Sequence, residues 1–228
     1  MRIAGFQPLS LLDFPERPCA VVFTQGCPLR CPFCHNPGLI PNGPGKMRAD
    51  EVLSELERHA NTVAAVCVTG GEPTVQPDLP AFLRLLKLRG FAVKLDTNGV
   101  HPRMVARLLS DRLVDYVAMD FKHRWSAYAG LTKAAAPAVE HIRRTFSLLQ
   151  QSGVPHEFRT TVVPAFHTAE DLERMAVELA PGTSWAWQPV RYGITYDPNL
   201  PKGEMPPLEE IRSRILAAHP DLSITIRR

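Results

Sequence analysis

A regular alternation of short apolar runs and longer amphipathic segments is the feature that most constrains the fold of this 228-residue chain. Short runs rich in Val, Leu and Ile are typical of buried parallel strands, whereas apolar residues spaced three and four apart are typical of helices. Helices are predicted between successive strands, and several of them begin at Pro or end at Gly. The predicted strands cover residues 19–24, 64–69, 91–96, 114–120, 157–163, 184–190 and 223–227.

Strands and helices that alternate in this order form right-handed βαβ units around a parallel sheet. Six such units are fewer than the eight of a closed TIM barrel. The sequence therefore predicts an α/β fold, a partial (β/α)6 TIM-type barrel with parallel strands, in a single domain over residues 1–228. Residues 1–18 are predicted to be short extended pieces packed on the barrel, and residues 191–207 to be a long loop.

The composition excludes several classes of protein. The chain is 45% hydrophobic and 21% charged, as ordinary globular domains are. Its net charge of +3 is too small, and its basic residues are too scattered, to indicate a nucleic-acid partner. No apolar run approaches the ~20 residues that span a bilayer. The five cysteines are odd in number and three are clustered, which favours a reducing compartment and a cytoplasmic protein over a disulfide framework.

Three cysteines, Cys27, Cys31 and Cys34, follow the first predicted strand in a C-x3-C-x2-C spacing. The prolines between them prevent a regular helix, so this stretch is predicted to be a loop that can surround a small inorganic group. Cysteine thiolates at short spacings hold iron–sulfur clusters, and three ligands would leave one iron of a four-iron cluster without a protein ligand. The alternative is a tetrahedral zinc site with His35 as the fourth ligand.

The spacing of these cysteines, with Phe33 before the last of them, resembles the signature of the radical S-adenosylmethionine (SAM) superfamily. The sequence around it, including His35 and Asn36, resembles the glycyl-radical-enzyme activases, and most closely the anaerobic ribonucleoside-triphosphate reductase activating proteins. This resemblance implies a 4Fe–4S cluster on the three cysteines and SAM bound at the open iron. It also implies that Phe33, His35 and Asn36 lie beside the cofactor.

Ligands of such folds bind at the carboxyl ends of the strands. The second predicted strand ends in Gly70, Gly71 and Glu72, and two glycines let a ligand approach bare backbone. A simple turn is the alternative interpretation. The run resembles the GGEP motif of the superfamily, which implies that these three residues receive the amino group of the methionine moiety.

The third predicted strand ends with Asp96 and Asn98, and the fourth with Asp120 and Lys122. Asn98 with the following glycine is also a common turn dipeptide, and Asp120 with Lys122 could form a surface ion pair. Similar runs in the activases imply that Asp96 or Asn98 contacts the ribose or the methionine carboxylate region. They also imply that Lys122 holds the carboxylate and that Asp120 lies near the reacting centre, which makes this pair the predicted catalytic residues.

Other residues receive simpler predictions. Arg159 and Gln188, on the fifth and sixth predicted strands, are further candidates for the cofactor pocket. Cys19 and Cys67 lie inside apolar strands and are predicted to be core residues. The stretch 125–132 is predicted to be an exposed surface next to the site.

These features predict an enzyme that reductively cleaves SAM at a 4Fe–4S cluster to a 5′-deoxyadenosyl radical. The resemblance implies that this radical removes hydrogen from a glycine of anaerobic ribonucleotide reductase, with a flavodoxin- or ferredoxin-type protein as electron donor. Two alternatives remain at this stage, a radical SAM enzyme that modifies a small molecule or peptide, and a non-catalytic zinc-binding interaction module. Asp13-Phe14-Pro15-Glu16 replaces the Asp-Gly-Pro-Gly of many activases, which weakens an assignment to the formate-lyase branch.

Overall fold

The strands of the computed structural model, which describes residues 1–227, pair in the order in which they occur along the chain. Arg228, the last residue of the predicted domain, lies outside the described residues. The strands are β1 (Ile3–Ser10), β2 (Cys19–Thr24), β3 (Ala65–Gly70), β4 (Ala92–Thr97), β5 (Tyr116–Asp120), β6 (His156–Val162), β7 (Ser184–Pro189) and β8 (Ser223–Ile226). The helices are α1 (Ala49–Arg58), α2 (Leu79–Leu88), α3 (Pro102–Ser110), α4 (Trp125–Thr132), α5 (Ala136–Gln151), α6 (Ala169–Ala176) and α7 (Leu208–Ala218).

All strands from β2 to β8 are parallel to their neighbours, and β1 is antiparallel to β2. Six βα units separate β2 from β8, and the eight-stranded sheet does not close, because β1 and β8 lie at its two ends. This architecture confirms the predicted partial (β/α)6 barrel. None of the helices in residues 1–227 combines the length and the apolar character that a membrane crossing requires.

Two segments differ from the sequence prediction. Residues 3–10 form a full strand on the edge of the sheet rather than short extended pieces, and Phe6 is paired with Val22. The ladder shifts register next to Pro8, which an edge strand tolerates because its missing N–H interrupts no central ladder. The stretch 125–132 is a helix, and the predicted exposed surface is limited to one side of it: Ser126, Ala129 and Gly130 are exposed, whereas the Tyr128 side chain is completely buried.

A cluster of aromatic rings lies between β5, β6 and β7 and the helices α4 and α5. Phe146 of α5 is at its centre, with ring centroids 4.7 Å from Phe121, 4.3 Å from Phe158 and 5.2 Å from Trp125. Aromatic pairs at these separations add to the stability gained from burial. This cluster lies directly beneath the carboxyl end of β5, so it supports the strand that carries Asp120 and leads to Lys122.

Replacing Phe146 by Ala should lower the free energy of unfolding by about 3–5 kcal/mol, because it leaves a cavity in the middle of this cluster. Leu88→Ala is the matched control, since Leu88 is 77% exposed on α2, and it should change stability by less than about 0.5 kcal/mol. Equilibrium unfolding in urea measures both values. Equal losses in the two variants would contradict the central position of Phe146.

Candidate functional site

The loop that carries Cys27, Cys31 and Cys34 is fixed to the barrel by its main chain. The Cys27 N–H donates to Ile40 O at 3.0 Å, and the Arg30 N–H donates to Thr132 O of α4 at 3.0 Å. The long loop after β7 also holds it, through Tyr196 N–H to Cys34 O at 3.0 Å and Asp197 N–H to Pro32 O at 2.9 Å. The predicted long loop therefore supports the cysteine loop from outside.

The three cysteines line a cavity of about 390 Å3 at the carboxyl ends of the strands. The structure brings all but one of the predicted site residues into its wall. These are Cys27, Cys31, Phe33, Cys34, His35, Asn36, Gly70, Gly71, Asp96, Asn98, Asp120 and Lys122, and the exception is Glu72. Arg159 and Gln188 also line the cavity, as do Asp13, Thr69 and Thr161, which the sequence motifs did not indicate.

The chemistry of the three thiols fits an iron–sulfur cluster. All three are free cysteines. Burial raises the pKa of Cys27 to about 12 and that of Cys31 to about 11, so binding of iron must displace their protons. Within residues 1–227, no three His, Cys, Asp or Glu side chains converge closely enough to hold a single metal ion. The thiols instead surround a space that a group of several atoms can fill.

His35 does not behave as the fourth ligand that the zinc alternative requires. Its Nε2 atom accepts a hydrogen bond from the Arg191 N–H at 3.1 Å, so this ring nitrogen is already engaged. Burial lowers the pKa of His35, and the nearby Arg191 charge acts in the same direction. The ring therefore connects the cysteine loop to the first residue of the long loop 191–207.

Gly70 and Gly71 are required by a close approach of two backbones. The Gly71 N–H donates to Thr24 O at 2.9 Å. A Cβ atom at Gly70 would lie 2.3 Å from Thr24 N, and one at Gly71 would lie 2.4 Å from Gly26 O. Gly70 also has a φ of +117°, which L side chains rarely adopt. The glycines thus let the β3 end contact the cysteine loop, in addition to forming part of the cavity wall.

Glu72 is placed differently from the prediction, because its carboxylate is fully buried and does not line the cavity. It accepts hydrogen bonds from Thr74 N–H at 3.1 Å, Thr97 Oγ1 at 2.7 Å and Asn98 N–H at 2.6 Å. Burial raises its pKa, and these hydrogen bonds oppose that shift. The side chain therefore fixes the β4 end, including Asn98, and its carboxylate is not free to receive an amino group.

A chain of alternating charges crosses the inside of the barrel. Lys94 Nζ is 2.5 Å from Asp96 Oδ1, and the Arg159 guanidinium bridges Asp96 at 2.8 Å and Asp120 at 3.2 Å. Lys122 Nζ is 2.9 Å from the other oxygen of Asp120. Burial opposes the charged form of Asp96, but Arg159 and Lys94 hold its pKa well below the usual range. Each charge therefore has an opposite partner, which buried ionised groups need.

Asp120 and Lys122 form a half-buried ion pair rather than a surface pair. Burial opposes ionisation of Asp120, yet Lys122 and Arg159 lower its pKa overall. The Lys122 ammonium also lies 5.7 Å from the centroid of the Phe33 ring, in the geometry of a cation–π contact. The two side chains are thus ionised at neutral pH and face the cavity that the three cysteines line.

A second cavity of about 760 Å3 adjoins the first. Asp13, His35, Arg159 and Gln188 line both, so the two cavities lie next to each other. Leu12 and Ile194 line the second cavity from the loop after β1 and from loop 191–207. Leu12 is 91% exposed and Ile194 is 56% exposed, so the lining includes exposed apolar side chains beside charged ones such as Glu157 and Arg227. The exposed surface at Leu12 and Ile194 is called the mouth of the second cavity.

The Glu72→Gln variant should unfold more easily than the parent chain by about 1–3 kcal/mol, because its amide would place a donor against the donors that now contact the carboxylate. Glu140→Gln is the control, since that side chain is 55% exposed on α5. Thermal or urea unfolding of the two variants provides the comparison. An unchanged midpoint for Glu72→Gln would show that the buried carboxylate does not hold the β4 end.

Curated relatives share this sequence over different lengths. A protein of Methanocaldococcus jannaschii named "Putative glycyl-radical enzyme activating enzyme" is 33% identical over 214 residues, which cover 92% of this chain and 88% of the relative. The pyruvate formate-lyase-activating enzyme of Clostridium pasteurianum is 35% identical over 54% of this chain and 52% of its own. A 7-carboxy-7-deazaguanine synthase of Methanopyrus kandleri is 36% identical over 48% of this chain and 51% of its own.

Solved structures share the fold at low sequence identity. Streptococcus suis SuiB bound to precursor peptide SuiA has a TM-score of 0.71 at 12% identity, over 91% of this chain and 48% of SuiB. This chain therefore spans about half the length of SuiB. QueE from Escherichia coli has a TM-score of 0.53 at 16% identity, over 99% of this chain and 92% of QueE.

The family model described as "Radical SAM superfamily" matches residues 21–179. This span includes the three cysteines, the two glycines and the Asp120–Lys122 pair. The match is inconsistent with the alternative of a non-catalytic zinc-binding module, and it agrees with the cavity that the free thiols line. The chain belongs to the radical SAM superfamily, with a 4Fe–4S cluster and SAM as its cofactors.

Proposed function

We propose that this chain is an activating enzyme that uses SAM to install a glycyl radical on anaerobic ribonucleoside-triphosphate reductase. The observation that carries this proposal is the cofactor cavity, which adjoins a second, larger cavity with exposed apolar side chains at its mouth. The relative from Methanocaldococcus jannaschii, which is named as an activating enzyme, supports the general reaction over nearly the full length. The narrower choice of reductase rests on the resemblance of Cys34-His35-Asn36-Pro37 to the reductase activators.

The cavity wall divides the tasks of binding among distinct groups. Cys27, Cys31 and Cys34 hold the cluster, and the backbone at Gly70 and Gly71 accepts the amino group of SAM. When bound, the cluster and SAM would together supply a radical that removes a hydrogen atom from the substrate. We expect a flavodoxin- or ferredoxin-type protein to be the electron donor.

The charged residues orient SAM. Lys122 presents its ammonium to the cofactor carboxylate, and Asp120 keeps that ammonium in place at 2.9 Å. Asp96 and Asn98 lie at the end of β4. There the Asp96 carboxylate can accept hydrogen bonds from the ribose, and the Asn98 amide can donate to the ribose or to the SAM carboxylate. Arg159 fixes both aspartates, so the polar groups keep one arrangement before SAM arrives.

The second cavity and its mouth suit a segment of another protein. Glycine Cα–H is a suitable hydrogen donor because the flanking amides delocalise the resulting radical. Leu12 and Ile194 are exposed on two different loops at the mouth, and Leu11 beside Leu12 is 70% exposed. Exposed apolar side chains that cluster at a cavity mark surfaces that contact partners.

The central test is a search for a glycyl radical. Anaerobically reconstituted enzyme, mixed with SAM, reductant and the reductase, should give the radical doublet in electron paramagnetic resonance. Cys31→Ala should abolish the signal and SAM cleavage, whereas Cys19→Ala should leave both largely intact, because Cys19 is fully buried within β2. SAM cleavage without a radical on the reductase would instead favour a small-molecule or peptide substrate.

Leu12→Asp should raise the KM for the reductase by on the order of tenfold, because it places a charge in the apolar mouth that the partner covers. Leu88→Asp introduces the same charge at another exposed position, on α2, outside the lining of both cavities. That control should leave the KM unchanged. Steady-state activation at varied reductase concentrations gives both values, and equal KM values for the two variants would contradict docking at this mouth.

A further inference from the structure

Two buried histidines connect the loop after β5 to the loop after β6. His123 is 4% exposed and His167 is 1% exposed, and their rings stack with centroids 4.7 Å apart and an angle of 22° between planes. Neither ring lines the cofactor cavity or the second cavity. Two stacked, fully enclosed imidazoles beside a catalytic strand end need a reason beyond apolar packing, because polar rings are costly to bury.

Each histidine bonds to the backbone of the opposite loop. His167 Nε2 is 2.8 Å from Lys122 O, and since a carbonyl can only accept, Nε2 carries the proton. His123 Nε2 is likewise 2.8 Å from Phe166 O. The other nitrogen of each ring accepts a backbone N–H, from Val163 at 3.1 Å in His167 and from Arg124 at 2.8 Å in His123.

The carbonyl partners place a proton on Nε2 of each ring. Burial lowers the pKa of His167 to about 4, so the ring stays neutral at physiological pH. Every ring nitrogen has a backbone partner, and His167 Nδ1 also lies 3.3 Å from Val163 O. We call this arrangement, His123 and His167 with their backbone partners, the histidine clasp.

The clasp acts on Lys122, the residue proposed to hold the cofactor carboxylate. His167 fixes the Lys122 carbonyl, while the Lys122 N–H donates to the Tyr128 hydroxyl at 3.4 Å. The Tyr128 hydroxyl in turn donates to Asp120 O at 3.1 Å. The backbone of Lys122 is thus held on both sides, although β5 ends at Asp120 and the sheet ladder no longer constrains it.

We infer that the histidine clasp positions Lys122, so that His123 and His167 determine SAM affinity without touching SAM. This inference rests on the proposed role of Lys122 and not on the identity of the protein substrate. The lysine side chain has four rotatable bonds and loses much conformational freedom when it binds an anion. A fixed backbone at Lys122 reduces that loss. Partners of this outer kind typically change affinity by about 10–100-fold when they are removed.

Two substitutions at one position separate hydrogen bonding from packing. His167→Phe keeps a stacked ring of similar size but cannot bond Lys122 O, and it should weaken SAM binding by on the order of tenfold. His167→Gln loses the ring but keeps an amide N–H that can reach the carbonyl, and it should recover part of the affinity. His219→Ala, at the end of α7, is the control and should bind SAM as the parent chain does.

The measurement is the dissociation constant of SAM for the anaerobically reconstituted enzyme, by calorimetric titration and by the change that SAM causes in the cluster's electron paramagnetic resonance spectrum. Thermal unfolding of each variant is recorded in parallel. If the clasp acts through Lys122, His167→Phe combined with Lys122→Ala should bind SAM no more weakly than Lys122→Ala alone.

Several outcomes would overturn the inference. These are parental affinity in His167→Phe, a larger loss in His167→Gln than in His167→Phe, and full additivity with Lys122→Ala. A parental affinity in Lys122→Ala would do the same, since the clasp would then have no residue to act through. A missing glycyl radical on the reductase, with clasp-dependent SAM binding intact, would reject the proposed substrate and leave the clasp standing.

Discussion

The contact between the β3 end and the cysteine loop is the constraint on which the rest of the site depends. Gly71 donates to Thr24 O, and Glu72 N–H donates to Gly26 O at 2.9 Å, so the two loops touch through bare backbone. No side chain fits at Gly71, because a Cβ would lie 2.4 Å from Gly26 O. The same backbone contact therefore positions the cysteine ligands of the cluster and the backbone proposed to bind the SAM amino group. A shift in either loop would move the two sets of groups together.

Buried polar groups fix the neighbouring strand ends in turn. The Glu72 carboxylate accepts a hydrogen bond from the Asn98 N–H just after β4, and Arg159 on β6 connects the aspartates of β4 and β5. The Glu72 and Arg159–Asp120 contacts join neighbouring strand ends, and the Arg159–Asp96 contact spans from β6 across β5 to β4, so the strand ends are fixed relative to one another. The barrel thus holds a preorganised polar surface, which lowers the free-energy cost of binding a charged cofactor.

Sequence reasoning predicted the parallel strands, the open barrel and the cavity-lining motifs, because apolar periodicity and the cysteine spacing are local signals. It did not predict β1, whose Pro8 and mixed composition resemble a loop and whose pairing with β2 is a property of the sheet edge. The direction of the Glu72 side chain depends on donors from another strand. The histidine clasp could not be predicted either, since the carbonyl partners of His123 and His167 are 43 and 45 positions away along the chain.

The anchoring of the cysteine loop has a consequence for repair after oxidative damage. Its four main-chain hydrogen bonds, to Ile40, Thr132, Tyr196 and Asp197, involve no sulfur atom and so do not depend on the presence of iron. In small zinc domains the metal supplies the folding free energy, and its loss unfolds the chain. Because these contacts do not need iron, we expect the cysteine loop to keep its conformation when the cluster is lost, so that a new cluster can be assembled in an already folded chain.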